Sequence, residues 1–293
     1  MRIIVPFAPA GSTDITARIV AQKLTDAWRQ QVIVDNRAGA GGNIGAEAVA
    51  RSAPDGYTLL LATTGVMAIN HRLYRNLSYD ALRDFAPVTQ IGALPLILIV
   101  HPSLPAKSVK DLVAMGKAKP GALSYASSGV GSATHMTSEL FRMMAGVDIV
   151  HIPYKGSGQA MVDLISGQVG LAFDQITSSL PHVESGKLRA LAVTSAKRFA
   201  SVPQLPTVAE AGVRGYESVS WNGIAAPAGT PRDVISRVQE QVARALQSAD
   251  IKERFFKDGI EGVGSTPEQF EGHIRSERAK WEKVVDSAGI KPL

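Results

Sequence analysis

Residues 5–24 read VPFAPAGSTDITARIVAQKL. An apolar run, RIIVP (2–6), leads into this stretch, and Ile15, Ile19, Val20 and Leu24 follow at helical spacing. The unit is therefore a strand, a loop of Pro, Ala, Gly and Ser, and a helix. The first turn of a helix leaves backbone N–H groups unpaired and carries a partial positive charge, so such a loop can hold an anion. A phosphate, a nucleotide and a carboxylate all meet that description.

The same unit recurs along the chain. QVIVDN (31–36) and YTLLLAT (57–63) read as strands, with NIGAEAVARS (43–52) as a short helix between them. The apolar stretch 85–102 is interrupted by Pro87 and Pro95 and is expected to break there. Beyond Pro102 come helices at 108–119, 132–146 and 158–168 and strands at 123–127, 148–154, 169–175 and 188–195, with a short helix near SLPHVESGK. SVSWNGIAAP (218–227) leads out of this block into three helical segments, 231–248, 251–259 and 266–289. Alternating strands and helices predict mostly parallel sheets. The extended passages 95–101 and 219–226 read as crossings, so the middle block forms one lobe and the two ends of the chain the other. YASSGVGSATHMTSEL (125–140) echoes the opening unit, which would set two helix N-termini against each other across a cleft.

Bulk properties narrow the function. At 293 residues the chain is long enough for two lobes. Net charge is +5, pI about 9.4, and basic residues are interspersed with acidic ones, with no dense stripe of the kind nucleic acid requires. There is no cysteine, which removes thiol catalysis, disulfides and cysteine-type zinc sites. The longest apolar run, IGALPLILIV (91–100), is half of the ~20 residues a membrane span needs. The chain enters a core strand two residues after Met1, and we expect a secretion leader to have been removed.

The motifs favour binding over turnover. GAGGNIGAEA (39–48) fails the dinucleotide register because Ile44 stands where the third glycine belongs, and reads as a tight turn. SGVGSAT (128–134) fails at Thr134, and no P-loop or G-x-S-x-G motif occurs. Ser127, Ser128 and Ser132 read as loop and cap residues; His135 beside them is either polar packing or a base. Asp14 is either a first-turn acid complementing the helix dipole or a ligand contact, and Asp174, closing the strand VGLAF, is either a cap or a contact. Lys155 in IPYKGSGQA (152–160) faces an anion or solvent; ATTG (62–65) puts two hydroxyls at the end of a buried strand; Phe7 and Trp221 wall a cleft or belong to core. Hydroxyls and free amides without a base–nucleophile pair can hold carboxylate oxygens without attacking anything.

The ordered motifs VPFAPAGSTDITAR, VDNRAGAGGNIGAEAVARSAPDGYTLLLAT, YDALRDFAPV, HPSLPAKSVKDLV, YASSGVGSATHMTSELF, VDIVHIPYKGSG, LISGQVGLAFDQ, GKLRALAVTSAKR, PTVAEAG and APAGTP resemble those of the substrate-binding receptors of tripartite tricarboxylate transporters, the Bug proteins, over essentially the whole chain. The resemblance implies an α/β, two-lobed type II periplasmic-binding-protein fold with a cleft between lobes. Domain 1 is expected at 1–100 plus 225–293 and domain 2 at 101–224, with hinges near 99–102 and 220–226. It implies a periplasmic, monomeric protein that presents a small carboxylate (dicarboxylate, acidic amino acid or aromatic acid) to inner-membrane transporter subunits. No catalytic residue, metal, cofactor, nucleic-acid partner or stable membrane insertion is implied.

The residues carried over are Phe7, Ala8, Ala10, Gly11, Ser12 and Asp14 of the first loop and Ser127, Ser128, Gly129, Ser132, Ala133 and Thr134 of the echo loop. Thr63, Thr64, Tyr154, Lys155, Gly156 and Asp174 complete the expected pocket. Three positions depart from the family pattern: Ala10 where glycine is common, Val130 where a polar residue is common, and Gln175 after Asp174. A ligand sensor, or an enzyme on the same fold using His135 or Asp174 as base, stands as the alternative.

Overall fold

A computed structural model describes residues 1–287 together with Ile290 and Pro292. The chain opens with β1 (Arg2–Val5), α1 (Ser12–Trp28), β2 (Ile33–Asn36), α2 (Asn43–Ala50) and β3 (Thr58–Thr63). β1 lies between β2 and β3 and parallel to both, as right-handed βαβ units require. A wide turn (Gly65–Ile69) and the short α3 (Asn70–Leu73) follow, then β4 (Phe85–Val100). The middle block is α4 (Val109–Ala118), β5 (Leu123–Ser127), α5 (Ala133–Ala145), β6 (Ile149–Pro153), α6 (Ser157–Ile165), β7 (Leu171–Gln175), α7 (Ile176–Glu184) and β8 (Arg189–Val193). β9 (Val219–Pro227), α8 (Arg232–Gln247), α9 (Ala249–Lys257), β10 (Glu261–Gly262) and α10 (Pro267–Ser287) close the chain. Residues 288 and 289 of the expected tail helix lie outside the described residues.

β4 organises the molecule. Its first part, Phe85–Pro95, pairs with β9 in a sheet ordered β2-β1-β3-β9-β4. Its last part, Leu96–Val100, runs between β7 and β8 in a second sheet that continues to β5 and β6. The strand changes sheet at Pro95/Leu96, and the chain returns to the first sheet at Val219. Leu96 to Val100 are fully buried, which explains the unbroken apolar run: a strand covered on both faces cannot alternate.

Two expectations need correction. The prolines do not break the strand. Pro87 adjoins a register shift and Pro95 is the last residue paired with β9, both places where a missing N–H costs the ladder little. The sheets are mixed. Parallel pairing holds among the βα units, β2-β1-β3 and β6-β5-β7, whereas β4 and β9 pair antiparallel with every neighbour among the described residues. These two strands carry the chain between sheets and so do not follow the βαβ crossover rule.

Each sheet carries apolar clusters on both faces. Leu24, Leu61, Ile224 and Val242 pack on one side of the first sheet, and Leu60, Trp221, Phe270 and Trp281 on the other. Tyr125, Phe141, Phe173 and Tyr216 pack on one side of the second, and Ile97, Leu164, Ile176 and Val193 on the other. At about 1.5–3 kcal/mol per fully buried large side chain, these layers hold the strand ends rigid and leave the loops beyond them free to specialise.

Candidate functional site

The loops at the carboxyl ends of β1, β3, β5, β6 and β7 face one another. The first is shaped by Asp14. Its carboxylate accepts hydrogen bonds from Ala10 N (3.1 Å), Asn36 Nδ2 (3.0 Å) and Arg18 Nε (2.9 Å). Burial disfavours its charge, but the hydrogen bonds from Arg18, Asn36 and Ala10 outweigh this and hold the carboxyl below its ordinary value. The bond to Ala10 fixes that residue at φ 67°, a left-handed conformation that glycine would reach more cheaply. Asn36 Nδ2 also donates to Phe7 O at 3.0 Å, so both ends of the loop are pinned. Gly11 then begins α1 with no side chain capping its first N–H groups.

The echo loop is more tightly tied. Ser132 caps α5 by accepting from His135 N (3.2 Å) and donates to Gly129 O (2.6 Å). Thr134 Oγ1 accepts from Ser128 N (2.9 Å), and Gly129 N donates to Ser127 Oγ (3.1 Å). Beneath the loop, Tyr125, His151 and His135 stack at centroid distances of 4.8 and 4.2 Å. His135 Nδ1 accepts from Gly131 N (3.2 Å), which places the proton of the neutral ring on Nε2. Burial, then His151 and Arg142, push His135 down to about 3; burial pushes His151 down to about 4. His151 Nε2 lies 2.6 Å from Ser127 Oγ, but this pair sits under the loop and lines neither cavity of the site. It supports the loop from behind and presents no nucleophile to a ligand.

The start of α6 is likewise uncapped at Gly156. Its Ser157 Oγ donates to Asp174 Oδ1 (2.8 Å), which also accepts from Gln175 N (2.9 Å), while Ser178 Oγ donates to Oδ2 (3.2 Å). Burial lifts Asp174 to about 6 against these bonds. Asp174 therefore fastens the starts of α6 and α7 together.

Between the loops lies a narrow inner chamber lined by Phe7, Gly11, Thr13, Thr63, Thr64, Ser128, Ser132, Ala133, Ser157, Gln175, Ser220, Trp221 and Asn222. Phe7 and Ser128 also border an outer recess of about 700 Å³, which is open to solvent and adds Gly39, Ala40, Gly41, Gly42, Tyr74, Gly129, Val130, Pro153, Tyr154, Lys155 and Gln159. Two hydrogen bonds join the rims across the cleft, Tyr74 Oη to Val130 O (2.9 Å) and Ala8 N to Lys155 O (3.1 Å). Roomy surface grooves around Trp28 and Tyr57, and around Phe255 and Phe256, lie apart from these loops.

Of the residues singled out in the sequence, Phe7, Gly11, Thr63, Thr64, Ser128, Gly129, Ser132, Ala133, Tyr154 and Lys155 line the chamber or the recess. Ala8, Ala10, Ser12, Asp14, Ser127, Thr134, Gly156 and Asp174 line neither. For Asp14, Ser127, Thr134 and Asp174 the reason is the same: their polar atoms are consumed in building the loops. Sequence reasoning left Trp221 open between cleft wall and core, and did not assign Thr13, Ser157, Gln175, Ser220 and Asn222 to the site. The polar SWN inside an otherwise apolar strand was the available signal for the last of these. Among the described residues no His, Asp and Glu cluster of three could hold a metal ion, and no helix is long and apolar enough to cross a membrane.

Two sheets sharing a crossing strand, with three helix starts opening on a polar chamber between them, define a solute-binding receptor architecture. The chain belongs to the tripartite tricarboxylate transporter receptor family, whose model matches residues 16–290. It is 41% identical over 292 residues to Protein BugT of Bordetella pertussis, covering 99% of this chain and 90% of that protein. The solved structure of R. palustris Rpa4515 with adipate superposes with a TM-score of 0.98 at 42% identity, covering 100% of this chain and 98% of the other. MatC (Rpa3494) from Rhodopseudomonas palustris with bound malate gives a TM-score of 0.93 at 30% identity, covering 97% of this chain and 98% of the other.

Proposed function

We propose that this chain is a periplasmic receptor that closes on a small carboxylate in the inner chamber and presents it to the membrane subunits of a tripartite tricarboxylate transporter. The observation that carries this reading is the convergence of the α1, α5 and α6 N-termini on a chamber that no charged side chain lines among the described residues. Each helix start contributes about 0.3–1 kcal/mol toward an anion, up to ~2 when partly buried. Hydroxyl and amide hydrogen bonds to a charged group add ~1.5–3 kcal/mol apiece. Adipate and malate in two family members support a carboxylate.

We place the hinge where the chain changes sheet, at Pro95/Leu96 in β4 and ahead of Val219 in β9. This is a few residues before the 100/101 and 224/225 divisions suggested by the sequence. The Tyr74–Val130 and Ala8–Lys155 hydrogen bonds would form on closure.

The test is a thermal-shift panel of succinate, malate, adipate, benzoate and aspartate. An acid at a hundredfold excess over its Kd adds ~2.7 kcal/mol to folding stability, a rise of several degrees in the midpoint. A panel in which no acid moves the midpoint removes the carboxylate reading.

A further inference from the structure

Among the described residues, Asp174 is a buried carboxylate with no cation beside it. It is 4% exposed, and its partners are all neutral: Ser157 Oγ of α6 (2.8 Å) and Gln175 N (2.9 Å) donate to Oδ1, and Ser178 Oγ of α7 (3.2 Å) donates to Oδ2. The elements around it hold few titratable groups, and these are engaged elsewhere or stand at the surface. β4, its antiparallel neighbour, has none from Phe85 to Val100. On β5, its parallel neighbour, the Tyr125 hydroxyl donates to Glu139. In α6, Asp163 accepts from Tyr154 Oη, and ahead of that helix Lys155 is exposed. In α7, His182 and Glu184 stand in the last turn. Asp258, whose carbonyl accepts from Thr177, is paired through its carboxylate with Arg254.

One hydroxyl separates Asp174 from the chamber, because Ser157 lines the chamber and begins α6, a helix without a side-chain cap. An anion held at that helix start faces a second negative charge a few ångströms behind it, and two like charges so close favour protonation of one of them. The hydrogen bonding points the same way. A serine hydroxyl has a single hydrogen to donate. While Asp174 is ionised, that hydrogen is committed to Oδ1. Once Asp174 carries a proton, its carboxyl can donate to Ser157 Oγ, and the serine hydrogen is free to turn away from it. Burial already lifts Asp174 to about 6, so a neighbouring anion needs to add little for protonation near neutral pH.

We infer that this receptor binds its anion together with one proton, which enters from solvent onto the Asp174 carboxylate as the anion is captured and returns to solvent on release. The inference rests on the carboxylate reading above and deepens it: the proton is a second ligand, and affinity follows the pH at which the receptor works.

The experiment is calorimetric titration of the whole chain with the acid of the thermal-shift panel that binds best. It is run near pH 7 in phosphate and in Tris, buffers whose heats of ionisation differ, and then across about pH 6.5 to 8.5, where carboxylates of the acid are ionised. The wild type is expected to take up a measurable fraction of a proton on binding and to weaken about tenfold from the acid to the alkaline end of that range. Asp174→Asn is expected to take up no proton and to hold one affinity throughout. The carbon-13 resonance of the Asp174 carboxyl follows the same proton in the wild type, and its titration midpoint is expected to rise by about half a pH unit or more at saturating acid. An acid bound by the wild type without proton uptake overturns the inference, as does equal uptake by wild type and Asp174→Asn, or a carboxyl midpoint that the acid leaves in place. The two wild-type readouts decide alone if Asp174→Asn does not fold. A chain that binds no acid of the panel at any of these pH values removes the carboxylate reading and this inference with it, which is a different outcome.

Discussion

Gly65 opens the turn after β3 with an ordinary backbone conformation, yet a Cβ there would lie 2.7 Å from Gly131 O on the facing loop. Alanine at this position costs nothing locally, so its whole effect falls on the approach of the two loops. Gly65→Ala is expected to leave the folding stability of the unliganded chain within about 0.5 kcal/mol of wild type and to weaken ligand binding about tenfold, or ~1.4 kcal/mol, within the range of an overpacking cost. Calorimetry beside thermal denaturation checks this, and unchanged affinity would contradict it. At this scale the sequence was only partly legible. Small hydroxyl residues in strand–loop–helix units pointed to Ser128, Ser132 and Thr63, which line the chamber. It could not separate side chains that face the chamber from those that build the loop: Asp14 and Asp174 look as suited to a ligand as Ser128 until their partners are seen. Asn222 was hidden because it sits inside a strand that looks like core.

Helix α5 illustrates how an element supports the site from behind. Its His135 and the neighbouring His151 of β6 stay neutral in the fold, pushed down to about 3 and about 4, whereas both would titrate near 6.5 in the unfolded chain. Between pH 6.5 and 4 the unfolded chain therefore binds more protons on these rings, and their contribution to stability is lost as pH falls. Asp174 works in the opposite sense. Lifted from 3.8 to about 6, it takes up its proton in the native state below about pH 6, before the unfolded chain does, so its contribution grows as pH falls from about 6 toward 4. His151→Gln is expected to reduce the acid-side slope of stability by about 1 kcal/mol per pH unit near pH 5. Urea unfolding between pH 4.5 and 7 measures it; equal slopes in variant and wild type would contradict it. Helices and strands were the most legible features, since hydrophobic periodicity and caps such as Ser108 and Ser132 mark them directly. The course of β4 through two prolines was not, because proline is excluded only where its N–H is needed, and that depends on which neighbour stands alongside.

For the whole molecule, alternating βα units and two extended apolar passages were enough to expect two lobes around a cleft, and the family motifs run nearly end to end. The mixed strand order was beyond reach, because pairing partners are set by how the crossing strands return, which leaves no local mark in sequence. The central claim is capture by closure between the lobes, and small-angle X-ray scattering of the purified chain tests it directly. It should be recorded without ligand and at a saturating concentration of whichever acid raises the melting midpoint. The expected result is a radius of gyration that falls on adding the acid, from a compact-chain scale of about 19 Å, and that in Gly65→Ala falls only at about tenfold higher acid concentration. A scattering curve unchanged by an acid shown to bind would contradict closure, and with it the assignment of the chamber as the place of capture.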